Sequence, residues 1–306
     1  MTGGRTSPAG RRPARGSGDA GPAPSPPVES QLDRYAVVGN PVAHSKSPLI
    51  HDAFARATGQ RMRYERLRAP LDGFVATVQA FAEANGVGLN VTIPFKLQAF
   101  ALAREHSVRA RSARACNTLA WRDDHWFGDN TDGAGLVRDL TRNLGETIAG
   151  RSLLVLGAGG AAHGIVADLL AEQPHRLVIA NRTHAKAVEL AARFERDGQV
   201  IAEPLAALLG QQFDIVVNAT SLGLGTKVPP GLWPHRLFGP HALAYDLIYA
   251  DRTTPFLDWA RAEGAGRTAD GLGMLIEQAA ESFYLWRGVR PDTGPVFRLL
   301  GAAERG

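Results

Sequence analysis

The chain has 306 residues, 44% of them hydrophobic and 21% charged, the balance of a globular protein long enough for two ordinary domains. A formal net charge of only +4, with no Lys/Arg run interleaved with aromatics, speaks against nucleic-acid binding. The single cysteine, Cys116, cannot make an intrachain disulfide, which suits a reducing, cytoplasmic compartment. No Cys or His cluster has metal-ligand spacing, so no metal is expected.

Residues 1 to about 30 are dominated by Gly, Pro, Ser, Ala and Arg. They have almost nothing to bury against their chain entropy, so the segment reads as a disordered tail. Its Arg-rich, acid-poor composition also fits a transit peptide, the lesser reading. It lacks the continuous apolar core of a secretory signal.

Order is expected to begin near Arg34. Tyr35 to Gly39 is a short apolar strand, and Ser47-Pro48 opens a helix to about Thr58, with Pro48 suited to a first turn. A strand over Arg63 to Leu67 and a helix over Leu71 to Ala84 follow, the helix marked by Phe74, Val78 and Phe81. Gly88 to Thr92 is a third strand stopped by Pro94, and a helix is expected from Phe95 to Glu105. Cys116 to Trp121 and His125 to Gly128 read as strands around an Asp123-Asp124 turn, and a helix runs from Asp132 to Leu144. Arg151 to Leu156 then starts a second βα series, with later strands at Leu177–Ala180, Ile215–Asn218 and Leu243–Asp246 and a last helix over Gly271 to Trp286. The apolar stretch from Leu153 to Ala171 is broken by four glycines, His163 and Asp168. It therefore reads as strand, turn and helix, and no membrane span is expected. The alternation predicts α/β architecture: two domains with mostly parallel sheets and a cleft between them.

Leu153 to Leu156 runs straight into Gly157-Ala158-Gly159-Gly160-Ala161-Ala162. Strand, G-x-G-x-x-A and helix in register are the Rossmann dinucleotide fingerprint. Gly157 permits the tight turn, Gly159 lets backbone approach a pyrophosphate, and Ala162 allows close helix–strand packing. The helix N-terminus faces the phosphates. The next strand ends in Asn181-Arg182-Thr183, with Lys186 a turn later. An NAD site would carry an acid there. Arg182 instead offers a charge-assisted fork to a 2′-phosphate, so the expected cofactor is NADP.

Four polar motifs sit at strand ends in the other domain, where open α/β sheets place ligands. His44-Ser45-Lys46-Ser47-Pro48 stands at a helix start and suits a small carboxylate, although N-capping by a serine is the simpler reading. In Asn90-Val91-Thr92-Ile93-Pro94-Phe95-Lys96, Asn90 and Thr92 share a strand face by the period of two. Cys116-Asn117-Thr118 and Gly128-Asp129-Asn130-Thr131-Asp132-Gly133 complete the set. Asp132, taken singly, reads as a helix cap. Gln278 lies among the apolar stripe of the last helix and needs a partner, either a ligand hydroxyl or a backbone carbonyl.

Together these motifs, with Asn218-Ala-Thr-Ser221 and Ala269-Asp-Gly-Leu-Gly-Met274, resemble the shikimate dehydrogenase family from about Tyr35 to the C-terminus. The resemblance implies reversible NADPH-dependent reduction of 3-dehydroshikimate to shikimate in aromatic amino-acid biosynthesis. Lys96 and Asp132 would be the catalytic pair. Ser45 and Ser47, with Tyr249, would hold the substrate carboxylate, while Asn90, Thr92, Asn117, Asp132 and Gln278 would hold the ring and its hydroxyls. Gly157 to Ala161, Asn181, Arg182, Thr183, Lys186, Asn218, Thr220, Ser221, Leu247 and Gly271 would line the cofactor.

It further implies a substrate domain from residues 31–132 and 268–306, a cofactor domain over 133–267, and a monomer or homodimer. The alternatives are a quinate/shikimate dehydrogenase with relaxed cofactor use, and a non-catalytic sensor or repressor on the same fold. The chain departs from the commoner family pattern at His163, which puts a pyrophosphate contact there in doubt, and at Cys116 and Leu222. Cys116 is expected to change packing only.

Overall fold

The computed structural model describes residues 32–222 and 233–301, so the expectation for residues 1–30 lies outside the described residues. Strand β1 (Asp33–Gly39) is followed by α1 (Ser47–Thr58), β2 (Met62–Arg68), α2 (Phe74–Glu83), β3 (Gly86–Val91) and α3 (Lys96–Leu102). Then come β4 (Glu105–His106), α4 (Val108–Ala113), β5 (Thr118–Arg122), β6 (His125–Asp129) and α5 (Asp132–Arg138). Helix α5 runs on as a π-helical turn over Asp139–Asn143. These strands form a six-stranded sheet in the order β2-β1-β3-β5-β6-β4. β1, β2 and β3 are parallel, and β5 is antiparallel to both β3 and β6.

The second half contains β7 (Ser152–Leu156), α6 (Gly160–Ala171), β8 (Arg176–Ala180), α7 (His184–Ala192), β9 (Val200–Glu203), β10 (Phe213–Asn218) and β11 (Phe238–Asp246). It ends with α8 (Pro255–Ala262), β12 (Arg267–Asp270), α9 (Leu272–Arg287) and α10 (Gly294–Leu299). Its sheet is wholly parallel in the order β12-β11-β10-β7-β8-β9. Counted from β7, that is the 3-2-1-4-5-6 order of a doubly wound dinucleotide fold. The central strands are buried on both faces and read as continuous apolar runs, as in Leu153-Leu-Val-Leu156.

Met274, near the start of helix α9, packs in the core of the second sheet, but most of the helix's buried face packs elsewhere. Leu272, Ile276, Ala279, Ala280 and Phe283 share a core with Ile50 and Phe54 of α1 and Val296 of α10. The C-terminal helices thus share a core with α1, the helix that follows the first strand of the first sheet.

Several expected boundaries move. The second helix starts at Phe74, with Gly73 at its N-cap, rather than at Leu71. The helix after Phe95 ends at Leu102, because Ala103 is extended and Glu105 enters an edge strand paired with Phe127. The third strand ends at Val91, so Thr92 belongs to the turn beyond it.

Candidate active site

In both sheets the predicted residues gather at the carboxyl ends of the parallel strands. In the first sheet β1 pairs with β2 on one side and with β3 on the other, so the strand order reverses between β1 and β3. The loop after β1 carries Ser45 and Ser47, and the turn after β3 carries Thr92 and Lys96. This is the switch-point position at which open α/β sheets bind ligands.

Lys96 opens α3, and its carbonyl accepts Cys116 N–H at 2.9 Å, which ties the helix start to the segment carrying Asn117 just before β5. Its Nζ donates to Asp132 Oδ2 at 2.5 Å. The side chains are 16% and 6% exposed, so water screens this pair only partly. Asp132 is the first residue of α5 and does not act as its cap. Instead, its Oδ1 accepts from Asn117 Nδ2 at 2.9 Å. Asn117 also donates to Gln278 Oε1 at 3.2 Å and Thr131 Oγ1 at 2.8 Å. Gln278 Nε2 donates to the Leu275 carbonyl at 2.8 Å.

Asn90 is 5% exposed and saturated by protein. Its Nδ2 donates to Ser282 Oγ at 2.9 Å and Thr118 Oγ1 at 3.2 Å, and its Oδ1 accepts from Tyr64 O–H at 2.7 Å. Burial pushes His51 down to about 3, so its imidazole is neutral and Nε2–H faces Asn90 Oδ1 at 3.1 Å. Tyr64 is bonded in turn to the Ser47 side chain. Ser45 Oγ donates to Ser47 Oγ at 3.1 Å and accepts Ser47 N–H at 3.3 Å. Helix α1 has Lys46 at its N-cap and no side-chain cap, so neither serine hydroxyl acts as a conventional N-cap. Tyr249, half-buried, bonds the Ser45 side chain and the Lys46 backbone. One polar chain therefore runs from Ser45 to Lys96.

Tyr64, His51 and Ser282 were not singled out in the sequence. Ser282 carried a usable signal: it lies one turn beyond Gln278 on the buried stripe of α9 and is fully buried. Asp129 is held by Arg109 through Nε at 3.2 Å and Nη2 at 2.6 Å. Burial would raise its carboxyl, but Arg109, Ser107 and the Asn130 N–H outweigh burial and hold it below the usual range. Burial also drives the Cys116 thiol up to about 12, in keeping with a packing role.

In the second half, Gly157 has φ +115°, and a Cβ there would stand 2.9 Å from the Ala219 carbonyl, so only glycine fits. A Cβ at Gly159 would meet no protein atom within 4 Å, which leaves its backbone open to close approach by a phosphate group. Ala162 is fully buried beneath the sheet. Asn181 Nδ2 donates to the Thr183 carbonyl at 3.0 Å, and Arg182, Thr183 and Lys186 are exposed beyond β8 with no acid among them. This donor set fits a dinucleotide bearing a 2′-phosphate.

Asn218 and Thr220 turn inward: Asn218 Oδ1 accepts from Thr220 Oγ1 at 2.7 Å, and its Nδ2 donates to Asp246 Oδ1 at 3.0 Å. Ser221 is exposed next to them, and Leu222 N–H donates to Thr220 Oγ1 at 3.3 Å. A Cβ on Gly271 would overlap the Leu247 carbonyl, so these two predicted residues touch. His163 stands within 3.2 Å of the Ala113 carbonyl and 3.0 Å of Arg193 Nη1, on contacts of its own within the protein. A separate cleft of about 410 Å³, lined by Trp121, Trp126, Arg104 and His125, contains none of the predicted site residues.

Asp246 anchors the loop that carries Leu247 and Tyr249. Its carboxylate accepts from Thr254 Oγ1 at 2.5 Å, Ile248 N–H at 3.1 Å and Asn218 Nδ2 at 3.0 Å. Burial nevertheless pushes it up to about 6. The folded state therefore holds this proton more tightly than the unfolded chain, where the carboxyl titrates at about 4. The contribution of Asp246 to stability falls as pH rises from about 4 through about 6. Asp246→Asn is thus expected to gain Tm relative to the unsubstituted protein between pH 4.5 and pH 8. Thermal scans at both pH values check this, and a Tm difference independent of pH would contradict it.

Among the described residues, no helix is long and apolar enough to cross a membrane, and no group of three His, Cys, Asp or Glu could hold a metal ion. The fold and the site define a class, that of two-sheet α/β dehydrogenases that bring a nicotinamide dinucleotide to a polar substrate site. Family models narrow it: "Shikimate dehydrogenase substrate binding domain" matches residues 37–119, "Shikimate / quinate 5-dehydrogenase" matches 139–223, and "Shikimate 5'-dehydrogenase C-terminal domain" matches 271–296. The shikimate dehydrogenase (NADP(+)) of Methylobacillus flagellatus is 57% identical over 274 residues, covering 89% of this chain and all of that one. An Ael1 enzyme from Pseudomonas putida has a similar crystal structure, with TM-score 0.79 and 48% identity over 88% of this chain and 98% of the other. The Thermus thermophilus shikimate 5-dehydrogenase, solved with NADP(H) and shikimate, gives TM-score 0.73 and 32% identity over 89% of this chain and all of that one. The chain belongs to the shikimate dehydrogenase family.

Proposed function

We propose that this protein catalyses the reversible NADPH-dependent reduction of 3-dehydroshikimate to shikimate. The observation that carries the reading is the Lys96–Asp132 pair at 2.5 Å, at one end of a buried polar chain whose other end is Ser45 and Ser47. A ring with a ketone at one end and a carboxylate at the other is the ligand such a chain can grip at both ends. The dinucleotide, when bound, supplies the hydride.

Lys96 Nζ stabilises the alkoxide that develops on the ketone oxygen and supplies its proton. Asp132, fixed by Asn117, holds that ammonium in place and accepts a bond from a neighbouring ring hydroxyl. Ser45, Ser47 and Tyr249 take the carboxylate, and Thr92, Asn117 and Gln278 take the ring hydroxyls. Asn90 supports this set from behind by fixing Tyr64, Thr118 and Ser282. Gly157 to Ala161 and the start of α6 take the pyrophosphate, and Arg182, Thr183 and Lys186 take the 2′-phosphate. Asn181, Asn218, Thr220, Ser221, Leu247 and Gly271 shape the rest of the cofactor site.

In domain terms, residues 31–132 with 268–306 serve the substrate and 133–267 serve the cofactor. The shared core of α1 and α9 supports that division. The test is a panel of oxidations with NADP⁺: shikimate, quinate and simple hydroxy acids. Shikimate should give the highest kcat/KM. Preferential turnover of quinate would replace this reading with the quinate/shikimate one, and no turnover of any cyclic hydroxy acid would remove it.

A further inference from the structure

Helix α6 begins at the glycine turn, and its first turn serves the cofactor. Its positions 160, 164 and 168 are four residues apart and share one face. A Cβ on Gly160 would stand 3.7 Å from Lys96 Cβ. A Cβ on Gly164 would stand 2.9 Å from Asp132 Oδ2 and within 3.0–3.1 Å of the Asn130 amide atoms. One turn on, the Asp168 carboxyl occupies the space that a Cβ on Gly133 would need. Successive turns of one helix thus face Lys96, Asp132 and the residue after Asp132.

The oxygen of Asp132 that faces Gly164 is the same Oδ2 that receives Lys96 Nζ. Its neighbour Asn130 is not free to retreat, because Nδ2 donates to the Ala115 carbonyl at 2.9 Å and Oδ1 accepts Asp132 N–H at 3.1 Å. We propose that Gly164 is a positioning residue: the missing side chain at this point of the cofactor helix is what lets Asp132 stand where it holds Lys96. The close neighbours of an added methyl would be side-chain ends and not backbone. The fold can therefore absorb that methyl, helped by the preference for alanine over glycine inside helices, while the catalytic carboxylate cannot.

The proposal rests on Lys96 and Asp132 being the catalytic pair. The experiment is a double-mutant cycle with Gly164→Ala and Asp132→Asn, read by kcat with 3-dehydroshikimate, by Tm and by the Kd for NADPH from fluorescence quenching. Gly164→Ala should lower kcat at least about tenfold, with Tm not reduced and the Kd for NADPH within about twofold. In the Asp132→Asn background the same substitution should change kcat by less than about twofold, because sites acting through one another are not additive. Unchanged kcat in Gly164→Ala would overturn the proposal. So would a joint loss of Tm and NADPH binding, or a full tenfold effect persisting in the Asp132→Asn background. If Asp132→Asn alone kept full kcat, the pair itself would be misassigned, and that failure is visible separately.

Discussion

Lys96→Ala is expected to lower kcat by about 10²–10⁴-fold, the usual contribution of a positioned acid–base group, while KM for 3-dehydroshikimate rises by much less. The Lys96 side chain is only 16% exposed, and its ammonium lies 2.5 Å from Asp132. An alkoxide forming in such a place gains more from a fixed cation than it would in water. In the proposed mode the substrate's grip is spread over Ser45, Ser47, Asn117 and Gln278, none of which depends on Lys96 for its own bonds. Asp132 keeps its bond from Asn117 in the variant, so the site should remain assembled. Steady-state kinetics with saturating NADPH check the split. A variant with near-normal kcat and a large KM would make Lys96 a binding group only.

The second large effect is on cofactor choice. Arg182→Asp should reduce the preference for NADP over NAD, measured as the ratio of kcat/KM values, by at least about 100-fold, since hydrogen bonds to charged groups are worth about 1.5–3 kcal/mol each. The aspartate would also bond the ribose 2′-hydroxyl and repel a 2′-phosphate. Arg182 is exposed at the end of β8, with Thr183 and Lys186 beside it, so the substitution should leave Tm nearly unchanged. Equal kinetics with both cofactors before and after the change would remove Arg182 from the cofactor site.

Much of this was legible in the residues because the chemistry is local. The glycine turn requires its conformation from Gly157 and its helix from Gly160 onward, so strand, fingerprint and helix stand together in sequence as they do in space. The β5–β6 hairpin was equally plain, since Asp123 and Asp124 both adopt positive φ at its turn. Several of the elements that went unread are short or polar edge pieces. β12 is Arg-Thr-Ala-Asp, β9 leaves Ile201 exposed, and α4 buries only Ala110 and Ala113, so none has an apolar period to detect.

The site divides in the same way. Lys96, Asp132 and Asn117 belong to compact motifs. Their supports come from far along the chain: Ser282 reaches Asn90 across 192 residues, and Tyr64 reaches it from an edge strand. No local spacing encodes such a contact. Asn90, read as a substrate contact, is instead occupied on both its oxygen and its nitrogen by protein. Gly164 gives no signal in sequence, because its role depends on what a neighbouring strand end places against it.

The central claim meets its most direct test in the initial rate of NADPH absorbance loss with 3-dehydroshikimate. Rapid loss, shikimate as the product, and a much slower rate with NADH at equal concentration are predicted. No loss with NADPH, or equal rates with the two cofactors, would contradict it.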